Sequence, residues 1–358
     1  MNPSFWKGKK VLLTGHTGFK GSWLSIWLQM LGVNLIGYSK SIPTQPSLFE
    51  LADTGKKMES ITGDILDSNH LQEVIRNYRP EIVIHMAAQS LVRRSYEDPI
   101  ETYSTNVMGT VNLFEAIRKI DSVRVVINVT SDKCYENSKI SRGYKEDDPM
   151  GGYDPYSSSK GCSELVTASF RDSFFNPDSY QKHKTAIASV RAGNVIGGGD
   201  WSEDRLVPDV MQGILEKRTI KIRYPNAIRP WQHVLEPLNG YLLLAENLWQ
   251  NGLDFIGAWN FGPDDNDVKP VSWLVDKISQ RWGEKLTLQI ENNHPYEASR
   301  LILDCNKAKT KLGWVPKTNL ELAISLVVEW YKNYAQHKDV REFTEQQIQN
   351  FMKLNHET

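Results

Sequence analysis

The chain has 358 residues, 40% hydrophobic and 24% charged, an ordinary globular composition with room for about two domains. Lys and Arg total 42 against 43 Asp and Glu, a net charge of −1, so no global charge draws it to nucleic acid or an anionic membrane. No apolar run could span a bilayer, the first residues lack a signal-peptide core, and three cysteines (Cys134, Cys162, Cys305) are too few for a disulfide framework or a metal site; a cytoplasmic globular protein without bound metal is expected.

Through the first half, short β-branched runs alternate with longer segments of helical period, the pattern of a doubly wound parallel α/β sheet. The spacing predicts strand 11–13, then a helix over 18–32 with Trp23, Ile26, Trp27, Met30 and Leu31 on one face, then strand 33–38. Strand 60–65, helix 67–78 stopped by Pro80, strand 82–85, a helix over 99–120 and strand 123–129 follow. An irregular segment, 143–155, leads into a helix over 156–175, and 185–190 is the sixth strand. The second half is less regular. Helices are expected there at 207–216, 237–247, 272–282 and 320–334, with a polar, loosely packed helix from 339 onward.

The first strand runs into Gly15-His16-Thr17-Gly18-Phe19-Lys20-Gly21, and a helix follows directly. Glycines at these spacings let the backbone turn sharply and approach a pyrophosphate, while the helix N-terminus presents free N–H groups to it. This context marks a Rossmann-type dinucleotide site. Residues 1–180, with a returning strand at about 185–195, form the expected dinucleotide-binding domain; 196–358 form a smaller lobe interleaved with it, because no clean linker divides them. The second strand ends Gly37-Tyr38-Ser39-Lys40 without the carboxylate that usually holds ribose hydroxyls. Ser39 and Lys40 leave NAD and NADP both open. Asp64 and Ile65, after the third strand, are placed to reach the adenine edge.

Tyr156 and Lys160 lie at i and i+4 on one helix face. An adjacent ammonium and a cationic nicotinamide both favour phenolate, so the pair can deprotonate a hydroxyl whose carbon is being oxidised. Ser131, at the end of the fifth strand, can hydrogen-bond the same oxygen. Asp132 and Lys133 follow it at the mouth of a parallel sheet, where ligands bind. Cys134 reads as a packed residue.

These residues together resemble the extended short-chain dehydrogenase/reductase superfamily and, within it, the nucleotide-sugar 4,6-dehydratases. The similarity runs through the glycine loop, His85 to Ser90, Asn106 to Thr110, Thr130 to Tyr135, Tyr156 to Lys160, Arg229-Pro230-Trp231 and Leu312 to Pro316. The stretch from Arg191 to Trp201 looks particular to the CDP-glucose branch. Dehydratases acting on dTDP-glucose carry Asp-Glu where this chain has Asp132-Lys133.

The resemblance implies internal redox through bound NAD, with CDP-glucose losing water to give CDP-4-dehydro-6-deoxyglucose for bacterial deoxysugar and O-antigen (lipopolysaccharide) synthesis. Tyr156, Lys160 and Ser131 would serve the oxidation at C4, Asp132 would be the acid at the C6 oxygen, and Lys133 the base at C5. Around the cofactor it implies the residues of the 15–21 loop, Ser39, Asp64, Ile65, Ala87, Ala88, Gln89, Asn106, Tyr156 and Lys160. For the substrate it implies Ser90, Asn194, Leu206, Val207, Pro208, Arg229 and Arg300, with arginine's planar fork suited to the pyrophosphate. It also implies a homodimer or homotetramer, formed through the helix of Tyr156, where Leu165, Val166, Ser169 and Phe170 suit burial. A 4-epimerase shares the Tyr/Lys pair but needs no acid and base for elimination. A non-catalytic dinucleotide sensor would have no use for that pair.

Overall fold

Alternation along each strand sends its side chains to opposite sheet faces, and both faces here are apolar. Val11, Leu13, Ile82 and Ile84 enter one core, while Leu12, Val83, Val126 and Ile187 enter the other. The structure, a computed structural model, describes residues 1–137, 142–291 and 301–354. Its first half runs β1 (Lys10–Thr14), α1 (Phe19–Met30), β2 (Asn34–Ser39), β3 (Glu59–Thr62), α2 (Ser68–Tyr78), β4 (Ile82–His85), α3 (Gly109–Arg118), β5 (Val125–Val129), α4 (Pro155–Ser173) and β6 (Ala186–Ala192). The second half adds β7 (Asn194–Ile196), α5 (Leu206–Leu215), β8 (Ile220–Ile222), β9 (Ile228–His233), α6 (Leu235–Asn251), β10 (Gly257–Phe261), β11 (Val268–Pro270), α7 (Val271–Trp282), β12 (Leu288–Ile290), α8 (Leu320–Ala335) and α9 (Val340–Lys353).

The central sheet has seven parallel strands in the order β10-β6-β5-β4-β1-β2-β3. Strand order reverses between β1 and β4, which opens a crevice at the strand C-termini. Two small sheets, β11-β9-β7 and β12-β8, belong to the second half. Among the described residues no helix is long and apolar enough to cross a membrane.

Four departures from expectation have local causes. β10 lies in the irregular half, and its Gly-Ala-Trp-Asn-Phe run lacks a β-branched signature. Pairing with β6 makes it a strand. The third strand ends at Thr62 rather than 65, because Gly63 turns the chain against the Tyr38 ring, where an added Cβ would come within 2.4 Å. The expected helix over 99–120 is interrupted by a π-helical turn at Ser104–Met108, which turns Asn106 inward. The last helix, α9, is firmly packed. Asp339 caps it by accepting from the N–H groups of Arg341 and Glu342, and Phe351 meets Trp27 of α1 edge-on at 5.8 Å. Its polar outer face had hidden the buried stripe of Val340, Thr344, Gln347, Ile348 and Phe351.

Candidate active site

The glycine loop is shaped by close approach. Gly15 has φ +76°, and a Cβ there would lie 2.7 Å from the backbone of Met86 and Ala87; one at Gly21 would lie 2.1 Å from the Gly15 carbonyl. Thr14 Oγ1 accepts the N–H groups of Met86 and Ala87, pinning the chain after β4 beside the loop. At Gly18 an added Cβ would meet only the Gly15 carbonyl, at 3.4 Å, so the mouth is open. The first turn of α1 carries no acidic residue. A backbone cradle at a helix N-terminus, free of side chains and negative charge, fits a pyrophosphate.

Of the other residues expected near the cofactor, His16 and Ser39 have their side chains turned beneath the loop. Ser39 Oγ lies 2.9 Å from His16 Nδ1, and Ser60 Oγ lies 2.8 Å from Nε2. Burial pulls the imidazole down to about 4, so it is neutral. Thr17 Oγ1 donates to the Ser41 carbonyl. Lys40 pairs with Asp64 at 2.9 Å. Asn106, turned in by the π-turn, accepts from Gln89 N–H and donates to both the Gln89 carbonyl and Ser159 Oγ. Ile65 packs against Gly109, where a Cβ would come within 2.6 Å.

Asp154 caps α4 by accepting from the N–H and hydroxyl of Ser157, and Pro155 opens the helix. Tyr156 and Lys160 are thereby presented to the end of β5 on a rigid element. Ser131 caps the short turn Asp132–Cys134. Its hydroxyl donates to Asp132 Oδ1 (3.1 Å) and accepts from Lys133 N–H (3.2 Å). Burial pushes Tyr156 up to about 12, against the pull of Ser131 and Arg205. Burial pulls Lys160 down to about 8, and its Nζ donates to the Val129 carbonyl (3.2 Å). Burial also raises Asp132, although Lys133, Ser131 and Arg229 oppose it. The cluster therefore holds a carboxyl biased toward its protonated form beside a phenol and an amine.

Three contributions were missed in the sequence. Lys20, expected at the cofactor, reaches into the catalytic cluster, where Nζ donates to the Tyr241 hydroxyl at 3.3 Å. Burial and the charges of Arg205 and Lys160 pull it down to about 7, with Asp132 opposing. Tyr241 comes from α6, where it reads as one more apolar residue of a core stripe. Arg205 precedes the expected Leu206, Val207 and Pro208 at the start of α5; it donates to Asp200 Oδ2 and Ser90 Oγ, both at 3.2 Å. Adjacency to that motif was the only signal for it. Arg229, on β9, places its charge near Asp132, and Asn194 opens β7. Arg300 lies outside the described residues. Among the described residues no cluster of His, Cys, Asp or Glu could hold a metal ion.

Residues 12–327 match the protein family described as GDP-mannose 4,6 dehydratase. Over 353 residues the chain is 51% identical to the CDP-glucose 4,6-dehydratase of Salmonella typhimurium, with 98% of each chain covered. It is 27% identical over 337 residues to a UDP-glucose 4-epimerase of Halalkalibacterium halodurans, covering 90% of this chain and 96% of that one. Among solved structures, a UDP-glucose 4-epimerase from Thermotoga maritima with UDP-glucose superposes with TM-score 0.78 at 22% identity, covering 90% of this chain and 99% of the other. A dTDP-glucose 4,6-dehydratase from Bacillus anthracis in complex with NAD gives TM-score 0.76 at 21% identity, covering 92% and 99%. At such identities these two structures share the fold.

Proposed function

The chain belongs to the GDP-mannose 4,6 dehydratase family, and from that premise we propose that it removes water from CDP-glucose to give CDP-4-dehydro-6-deoxyglucose. The nucleotide comes from the 51% identical relative, whose likeness runs the whole length of both chains. Asp132 is the observation that carries dehydration over epimerisation. A buried carboxyl whose protonated form is favoured, one residue from Ser131, can protonate a leaving oxygen; a 4-epimerase needs no such acid.

NAD suits the glycine loop, whose backbone and the first turn of α1 would hold its pyrophosphate, with Asp64 and Ile65 toward the adenine and Tyr156 and Lys160 toward the nicotinamide. The pairing of Lys40 with Asp64 neutralises the charge that a 2′-phosphate would need, which favours NAD over NADP. When bound, NAD supplies a two-electron acceptor for C4 and later returns those electrons to C6. Tyr156, as phenolate favoured by the charge of Lys160, accepts the proton of the C4 hydroxyl, whose oxygen Ser131 would contact. The ketone acidifies C5–H, which Lys133 removes, and Asp132 protonates the departing C6 oxygen. Arg205 and Arg229, with Asn194 and Ser90, would hold the diphosphate and sugar.

The protein acts as a homodimer in this reading. Leu165 is exposed on α4 and Phe174 at its C-terminal end, apolar side chains that a second copy would cover.

Purified protein supplied with NAD is incubated with CDP-, dTDP-, UDP- and GDP-glucose in turn. The alkali-labile 4-keto sugar is expected from CDP-glucose and much more weakly from the others. Formation of the C4 epimer without a keto sugar would replace dehydration with epimerisation.

A further inference from the structure

A carboxylate stands where an anion site would be better without one. Asp204 precedes Arg205, the cation assigned to the diphosphate, and a negative charge so close weakens the grip on a doubly charged ligand. Asp204 is nonetheless held from both halves of the molecule. Arg93, from the turn that follows Ser90, meets its Oδ1 at 2.6 Å. Arg223, directly after β8, approaches the same oxygen at 3.4 Å, and its Nη2 donates to the Asp204 carbonyl at 2.6 Å. The Asp204 backbone is left-handed, φ +59°, a conformation aspartate tolerates better than most residues. Each of the three side chains keeps between 22% and 36% of its surface exposed, so a ligand can reach the group. Arg205 reaches Ser90, and its charge is felt by Tyr156, which puts the group at the edge of the proposed substrate site. Leu206, Val207 and Pro208 follow at the start of α5 and supply an apolar surface next to this polar edge.

We propose that Asp204 and Arg223 read the edge of the nucleotide base and select cytosine. This rests on the dehydratase reading and deepens it, giving a reason within this chain for the choice of nucleotide. Along one edge, cytosine presents the N4 amino donor next to the N3 acceptor. Uracil and thymine present the reverse, an O4 acceptor next to an N3–H donor, and guanine does the same with O6 and N1–H. A carboxylate can only accept and a guanidinium can only donate. Cytosine laid across the pair therefore makes two charge-assisted hydrogen bonds, whereas the other bases meet repulsion at both positions. Arg93 offsets the charge of Asp204 from the far side, so that the carboxylate can remain beside a diphosphate. On this account the electrostatic cost of Asp204 is balanced by discrimination between bases.

The test is calorimetric titration of NAD-loaded protein with CDP, with UDP and with inorganic pyrophosphate. The unaltered protein should prefer CDP to UDP by about tenfold or more. Asp204→Asn, whose amide can offer either an acceptor or a donor, should bind UDP more tightly and lose most of that preference. Asp204→Ala frees both arginines, so diphosphates in general should bind more tightly, a gain that pyrophosphate measures. The ratio of CDP to UDP affinity should still fall. If the two affinities shift in parallel in both variants, Asp204 merely ties the two halves together and the proposal is overturned. It is equally overturned if the unaltered protein binds CDP and UDP alike. Absence of keto sugar from the unaltered protein with CDP-glucose would instead overturn the dehydratase reading, on which the nucleotide titrations do not depend.

Discussion

Lys133 stands where a related dehydratase group places a carboxylate, and its role separates two accounts of elimination. If it is the C5 base, Lys133→Ala should oxidise C4 and then stall. Reduced cofactor should accumulate in the protein, visible by its absorbance, and C5 should not exchange its hydrogen with solvent deuterium. Persistent exchange would remove Lys133 from the role and turn attention to Lys20, a further lysine of the cluster beside Lys160, which burial and neighbouring cations pull down to about 7, a range suited to a base near neutral pH. At this scale the sequence was informative wherever function follows from local spacing. Tyr156 and Lys160 share a helix face by their numbering alone, and Ser131-Asp132-Lys133 follow a strand end. Lys20 was assigned to the cofactor because of the loop it occupies. Its side chain's path to Tyr241 depends on a helix more than two hundred residues away in sequence.

Helices and strands carry the site on a buried polar frame. Tyr156, Lys160 and Glu164 occupy successive turns of α4. Glu164 accepts from Thr130, Ser189 and both Nε and Nη2 of Arg191, and Arg191 also donates to the Tyr135 hydroxyl. Such a pair ties α4 to β5 and β6, and breaking one partner would leave a buried charge uncompensated. At the end of β4, His85 bridges Thr14 Oγ1 (2.7 Å) and Thr110 Oγ1 (3.3 Å), and burial together with Lys160 pulls it down to about 3. Its folded pKa lies below the ordinary 6.5, so the stability tied to the neutral ring is full above that pH and is lost as pH falls toward 3. The stability advantage of the unaltered protein over His85→Gln should be constant above pH 6.5 and shrink by about 2 kcal/mol at pH 5. Denaturant titrations at both pH values check this, and an advantage that grows on acidification would reverse the assignment. Periodicity found the strands and helices that carry the site to within a few residues. It could not find the π-turn at Ser104–Met108, because a single inserted residue hardly disturbs an apolar pattern.

At the scale of the whole molecule, Leu165 stands exposed on α4, in the contact proposed for a second copy. Light scattering at micromolar concentration should show at least a dimer, and Leu165→Glu should shift it toward monomer by placing a charge in the contact. A strict monomer in the unaltered protein would rule the interface out. The amino-acid sequence by itself determined the parallel sheet, the glycine loop and the Tyr156/Lys160 pair with Ser131 and Asp132, because each is written in residues adjacent in the chain or one helical turn apart. The tertiary structure alone decided that β10 joins the sheet edge, that α9 packs on α1, and that Lys20, Arg205, Arg229 and Tyr241 converge on Asp132 and Tyr156. Those groups come from four separate segments, and where their side chains meet is set by packing between elements, to which local periodicity is blind.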